Sequence, residues 1–158
     1  MSHRARNPAL ARLDALVGAW EFVPSVGGQP VGRGRSTFAW IEDGAFLRQH
    51  SDAAPSDVAP PPEWTANSPL PVTSIFGLDD ASETFTMLYA DARGVCRVYG
   101  MSLDGGAWRI WGRPGPEFFQ RFSGTFSEDG RVVTARWEKS RDGSDWQLDF
   151  DLTYTKLD

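Results

Sequence analysis

Few residues in this chain have the chemistry to act on another molecule, and their spacing narrows the choice. The only histidines are His3 and His50. His3 lies close to the terminus, where backbone is rarely held in place. His50 follows Phe46 and Arg48 at two-residue steps, and residues two apart on a strand share a face. If Phe46 points inward, so do Arg48 and His50, and His50 becomes an imidazole that titrates near neutrality beside an enclosed space. The opposite register places Ala45, Leu47 and Gln49 inside and leaves His50 in solvent. We carry the inward register forward as the expectation. Tyr89 adds a phenol on a face shared with Phe85 and Met87. Gln120 adds an amide between Phe118 and Phe122, and Tyr154 ends a further apolar row. A buried amide or phenol is costly unless hydrogen-bonded, so neighbours, water or a ligand must satisfy each one. Such groups suit the orientation of a bound molecule. In a second reading, His50 or Tyr89 moves a proton on an enclosed substrate, as in an isomerase or cyclase, with Asp52 or Asp91 as the orienting partner.

Other chemistries find no support. Cys96 is the single cysteine, which rules out an intrachain disulfide and a cysteine-based zinc site. No His, Asp and Glu recur at metal-ligand spacing, so no metal is expected. There is no Gly-x-Ser-x-Gly elbow and no Walker loop. Gly27-Gly28 and Gly32-x-Gly34 do not open a helix and read as turns. A formal net charge of −5 over 158 residues disfavours nucleic acid as a partner, because phosphates demand a basic face. Residues 1–12 hold no long apolar run of the kind a signal peptide needs. Nowhere does an apolar stretch approach the roughly 18 residues of a membrane span. A cytoplasmic protein without a membrane partner is the expectation.

The elements that must position these groups follow from periodicity. Asn7 to Val17 reads as a short helix: Pro8 suits a first turn, Leu10, Leu13, Leu16 and Val17 recur at three and four, and Gly18 ends it. Beyond it the chain alternates. Strands are expected at 19–24, 33–41, 45–52, 72–79, 84–91, 95–103, 107–113, 117–127, 131–140 and 145–155. Asp43-Gly44, Asp104-Gly105-Gly106 and Glu128-Asp129-Gly130 separate some of them with the positive-φ residues that tight hairpins need. Short connections make sequence neighbours into spatial neighbours. The fold expected over residues 1–158 is therefore all-β: one closed, antiparallel, up-and-down barrel of about ten strands with a short N-terminal helix. Closure removes the edges that an open meander would expose. Within it Phe118, Gln120, Phe122, Gly124 and Phe126 form one inward row. Trp146, Leu148, Phe150, Leu152 and Tyr154 form another.

Residues 53–71 break the rhythm with six prolines. A loop this long in a small domain is commonly functional. Trp64 in its middle is an apolar anchor, either a lid across one barrel mouth or a plug packed on the outer wall. Seven Trp and ten Phe supply flat apolar surface in quantity. Together these features imply a small, mostly apolar molecule held inside, contacted by Arg48, His50, Trp64, Phe85, Met87, Tyr89, Phe118, Gln120, Phe122 and Phe150.

The stretch Leu16-Val17-Gly18-Ala19-Trp20-Glu21, preceded by a helical turn, resembles the opening of a calycin domain, in which a Gly-x-Trp enters the first strand and the Trp plugs the closed end. Gly32 to Phe38, Gly44 to Leu47, Arg136 to Ser140 and Trp146 to Tyr154 resemble bacterial lipocalin-like barrels of uncharacterised function, similar in plan to nitrobindin and fatty-acid-binding proteins. The resemblance implies the barrel and a structural role for Trp20. It transfers no function, since barrels of this plan carry ligands, bind haem or catalyse reactions. Haem-binding members use a histidine near the chain's end; here none follows His50, so no haem is expected.

Overall fold

Three leucines at three-residue spacing decide the first element. In a 3-10 helix, with three residues per turn, positions i and i+3 eclipse, and Leu10, Leu13 and Leu16 then fall on one line. A computed structural model, which describes residues 5–158, has a 3-10 helix at Pro8–Leu16 with all three leucines buried. Asn7 caps it by accepting a hydrogen bond from the Ala9 backbone N–H at 2.9 Å. The expected helix is thus present, wound more tightly than an α-helix. His3 lies outside the described residues.

Eleven strands follow: β1 (Gly18–Val26), β2 (Gln29–Pro30), β3 (Gly34–Ile41), β4 (Phe46–Ala53), β5 (Val72–Leu78), β6 (Phe85–Asp91), β7 (Cys96–Asp104), β8 (Ala107–Gly115), β9 (Phe118–Phe126), β10 (Val132–Ser140) and β11 (Trp146–Lys156). A short helix, α1 (Pro62–Ala66), lies between β4 and β5. Each strand pairs antiparallel with its sequence neighbour, except that β3 pairs with β1 and the two-residue β2 is an appendage of β1. β1 also pairs with β11, from Trp20 opposite Lys156 to Ser25 opposite Asp151, which closes a ten-strand meander barrel. The tight turn at Gly105-Gly106 shows why the sequence allows it. Both residues have positive φ, +58° and +78°, and both glycines accept it without strain.

The two ends of the barrel differ. At the helix end, Trp20 is 1% exposed and its indole N–H donates to the Leu16 carbonyl at 2.8 Å. Above it, aromatic rings fill the trunk. Trp108 touches Phe38, Phe122 and Tyr154, with ring centroids 6.2, 4.7 and 6.0 Å away. Phe38 in turn stacks on Phe76.

Two registers differ from expectation. On β4, Leu47, Gln49 and Ser51 are the buried row, so Phe46, Arg48 and His50 face outward. The reason lies on the neighbouring strand. Phe46 lies over Gly77 of β5, where a side chain would meet its ring at 3.1 Å, and so Phe46 finds apolar cover outside the barrel. On β11, a bulge opposite the Trp137–Glu138 step inserts one extra residue: Trp137 faces Phe150 while Glu138 faces Leu148. Phe150, Leu152 and Tyr154 therefore point inward, but Trp146 and Leu148 turn out, and Leu148 is 48% exposed.

The plug accounts for a large share of the closed end. Trp20→Ala is expected to lower unfolding free energy by about 3–5 kcal/mol, the range for emptying a large aromatic site. Chemical denaturation checks this, and an unchanged midpoint would remove Trp20 from that role.

Candidate functional site

At the end opposite the helix, the inner wall changes from apolar to mixed. The cross-strand pairs Ser36–Ser51, Gln49–Ser74, Ser74–Tyr89 and Tyr89–Arg97 run from β3 to β7, and Gln120–Lys139 continues on β9 and β10. Facing residues project to the same side of a sheet, so these side chains form a polar belt. Part of it is internally satisfied. Ser36 Oγ and Ser51 Oγ are 2.6 Å apart, and Gln49 Nε2 donates to Ser51 Oγ at 3.2 Å. Ser74 Oγ, fully buried, has no hydrogen-bond partner among the described residues, and neither does the indole N–H of Trp108.

Two polar clusters sit on the β6–β9 side of this belt. In the first, the Tyr89 hydroxyl donates to Asp91 Oδ2 at 2.8 Å, and the Arg93 guanidinium donates to the same oxygen at 2.6 and 3.1 Å. The backbone N–H groups of Arg93 and Val95 donate to Asp91 Oδ1. Burial alone would raise the Asp91 pKa, but the hydrogen bonds from Arg93, Tyr89 and the backbone outweigh it and pull the value down to about 2. Burial, reinforced by the Asp91 charge, holds the Tyr89 phenol well above its usual range. Tyr89 thus keeps its proton as a hydrogen-bond donor.

In the second cluster, the Tyr99 hydroxyl donates to Gln120 Oε1 at 2.6 Å, and Arg97 donates to the same oxygen at 3.3 Å and to the Tyr99 hydroxyl at 3.5 Å. The Arg97 guanidinium lies 5.5 Å from the Phe118 ring centroid. Burial raises the Tyr99 pKa against the opposing pull of Arg97. Gly112 on β8 makes room for Tyr99, since a Cβ there would meet the Tyr99 ring at 2.6 Å. Tyr89 and Tyr99 join the clusters edge to face at 6.2 Å.

Around these polar groups stand aromatics that solvent still reaches: Phe118, Trp137 and Phe150 are half-buried on the inner wall. Trp64, on α1, meets Phe150 edge to face at 5.2 Å. That contact joins the segment after β4 to β11, with β3 and β1 between the two strands around the barrel. The segment is held on other sides as well. The Pro69 carbonyl accepts from the Ala92 N–H at 2.9 Å, and the Pro55 carbonyl from Arg33 at 3.2 Å.

Of the residues expected from sequence, Tyr89, Phe118, Gln120, Phe150 and Trp64 come together at this end. Phe85, Met87 and Phe122 face inward but are buried in the trunk core. Arg48 and His50 stand on the outside, and His50 Nδ1 lies 3.3 Å from Thr73 Oγ1. Asp91 is the partner of Tyr89, whereas Asp52 bonds its neighbour's backbone at Ala53. Arg97, Tyr99 and Trp137 belong to the site and were not singled out. The alternation Arg97, Tyr99, Met101, Leu103 carried the signal, but an arginine at its head disguises the row as outward. Outside the barrel, a groove of about 400 Å³ is lined by Arg109, Trp111, Arg121, Ser123 and Glu138. Arg121 there donates to both Glu138 carboxylate oxygens and lies over the Trp146 ring at 4.0 Å, while Arg109 makes no ion pair among the described residues.

No protein-family model matches the chain, and no curated protein does. Among solved structures, the crystal structure of Rv2717c from M. tuberculosis is similar over 98% of this chain and 100% of that one, with a TM-score of 0.58 and 15% identity. At that identity the likeness establishes a shared fold. Among the described residues, no helix is long and apolar enough to cross a membrane.

The Asp91 cluster makes a pH-dependent contribution to stability. Its folded-state pKa is below the unfolded value, so the contribution is complete above about pH 4 and fades as pH falls towards 2. Asp91→Asn is expected to cost about 1–2 kcal/mol at pH 7, a figure reduced from the full shift for solvent screening. Urea titrations at pH 7, 5 and 3 should show the gap between wild type and variant narrowing with acid. A gap that stays constant would mean the carboxylate charge is not what holds the cluster.

Proposed function

We propose that the barrel holds one small, mostly apolar molecule at its open end, beneath the 54–71 segment acting as a lid, as in calycin-type carriers. The observation that supports this most directly is the asymmetry of the aromatic lining. At the helix end Trp20, Phe38, Phe76, Trp108 and Phe122 are sealed, and Trp40 and Phe126, packed beside the helix, are the rings there that stay partly exposed. At the other end Phe118, Trp137, Phe150 and Trp64 keep part of their surface open beside a polar belt. Apolar walls with a few convergent polar groups are the usual make-up of a small-molecule site. The unpartnered Ser74 Oγ agrees with this reading, for an isolated buried hydroxyl costs about 1–3 kcal/mol that a bound partner would recover. Simple holding is favoured over catalysis. The Tyr89 phenol is kept protonated and already bonded, and His50 lies on the outer wall.

Titration with the neutral fluorophore N-phenyl-1-naphthylamine tests the proposal. One molecule should bind per chain and quench tryptophan emission from Trp64 and Trp137. Trp64→Ala should raise the dissociation rate several-fold while moving the melting temperature little, because loops contribute weakly to closure. The absence of saturable binding would refute the container.

A further inference from the structure

The charges on the inner wall of the open end are not balanced, and the imbalance falls on one residue. Arg93 is neutralised by Asp91. Lys139, opposite Gln120, has Asp149 at 3.8 Å. Arg97 makes no ion pair among the described residues. Its guanidinium reaches only neutral oxygens, those of Gln120 and Tyr99, over the ring of Phe118. A guanidinium carries five N–H donors in a planar fork suited to two oxygens of one anion. The acceptors it has are already used: Gln120 Oε1 receives the Tyr99 hydroxyl as its shorter bond, at 2.6 Å. A partly buried cation with spare donors is an unfinished site, since an ionised group taken from water needs a charged or strongly polar partner. The net charge of −5 makes a positive spot inside the mouth more conspicuous, not less.

We infer that the ligand carries one anionic group, a carboxylate, sulfonate or phosphate, which Arg97 receives at the open end while the apolar body lies against Phe118, Trp137 and Phe150. This rests on the container reading and adds a polarity to it: head at the belt, body among the rings. Arg97 and Tyr99 supply the charge and the geometry, and Gln120 holds both in place by sharing one oxygen between them. The Tyr89–Asp91–Arg93 cluster is self-contained. Its carboxylate is committed to Arg93, so it does not compete for Arg97.

A matched pair of probes separates the two claims. 8-Anilinonaphthalene-1-sulfonate differs from N-phenyl-1-naphthylamine only by its sulfonate. The wild-type protein should bind the anionic probe at least about tenfold more tightly than the neutral one, the least expected of a hydrogen bond to a charged group. The two probes should displace each other, and added salt should weaken only the anionic one. Arg97→Gln should abolish the preference and leave neutral-probe affinity within about twofold. Arg97→Lys should retain part of it, which guards against a Gln variant that folds poorly. Arg121→Gln, in the outer groove, should change neither. Displacement by 2-naphthoate or by 2-naphthyl phosphate then names the head group. If the neutral probe binds and the anionic one is no tighter, or if the preference survives in Arg97→Gln, the inference fails and the container stands. If neither probe binds, the container fails with it.

Discussion

The ladder between β1 and β11 is the contact on which the rest depends. It joins the start of the chain to its end, and with it the sheet has no free edge among its long strands. Closure also fixes the circumference at ten strands, and so the number of inward rows that must share one interior. Each row then has a depth. Residues near the helix meet rings from every side and become core; residues at the far end meet fewer. The change from the sealed surroundings of Trp20 and Trp108 to the half-open ones of Trp137 and Phe150 follows the packing of three leucines and an indole into one end, while at the other the proline-rich segment meets the wall through Trp64 on Phe150.

A barrel that packs its trunk with rings has little use for polar groups inside, yet this one keeps a belt of them. Ser36, Ser51, Gln49 and Ser74 are buried on adjacent strands, and two tyrosines, an arginine and a glutamine continue the belt. Such groups weaken a core unless every one is bonded. Most are: the serine pair, the Gln49–Ser51 bond, and the oxygen of Gln120 that serves both Tyr99 and Arg97. The exception among the belt groups described is Ser74, which lies on the inner wall.

The fold was legible wherever one parity of a strand is uniformly apolar. On β9 the alternation is visible where Phe122 and Gly124 are buried and Thr125 is exposed, whereas Phe118 to Arg121 at the open end are all half-buried. On β4 both parities carry a large apolar residue, Phe46 and Leu47. The choice between them was made by Gly77 on a neighbouring strand, a tertiary fact that no local pattern contains. The bulge in β11 was hidden for the opposite reason. Its alternation looks perfect across Trp146 to Tyr154, and only the register against β10 reveals that the sequence pattern continues through a break in the ladder. The candidate site was legible in its aromatics and in Tyr89 and Gln120. It was illegible in Arg97, because charge at the head of a strand reads as solvent exposure until the barrel is closed around it.

That bulge also bears on how this chain can change length over evolutionary time. Most single-residue insertions or deletions in a strand turn every following side chain over, and a barrel with one buried face seldom survives that. Asp149 is the surplus residue between Leu148 and Phe150, so its loss would restore an unbroken ladder and leave each neighbour on the face it already occupies. What would change is the ion pair with Lys139. Related chains one residue shorter here would keep the same barrel and carry one more unmatched cation at its rim. Drift in strand length would thereby tune the charge of the opening without repacking anything beneath it.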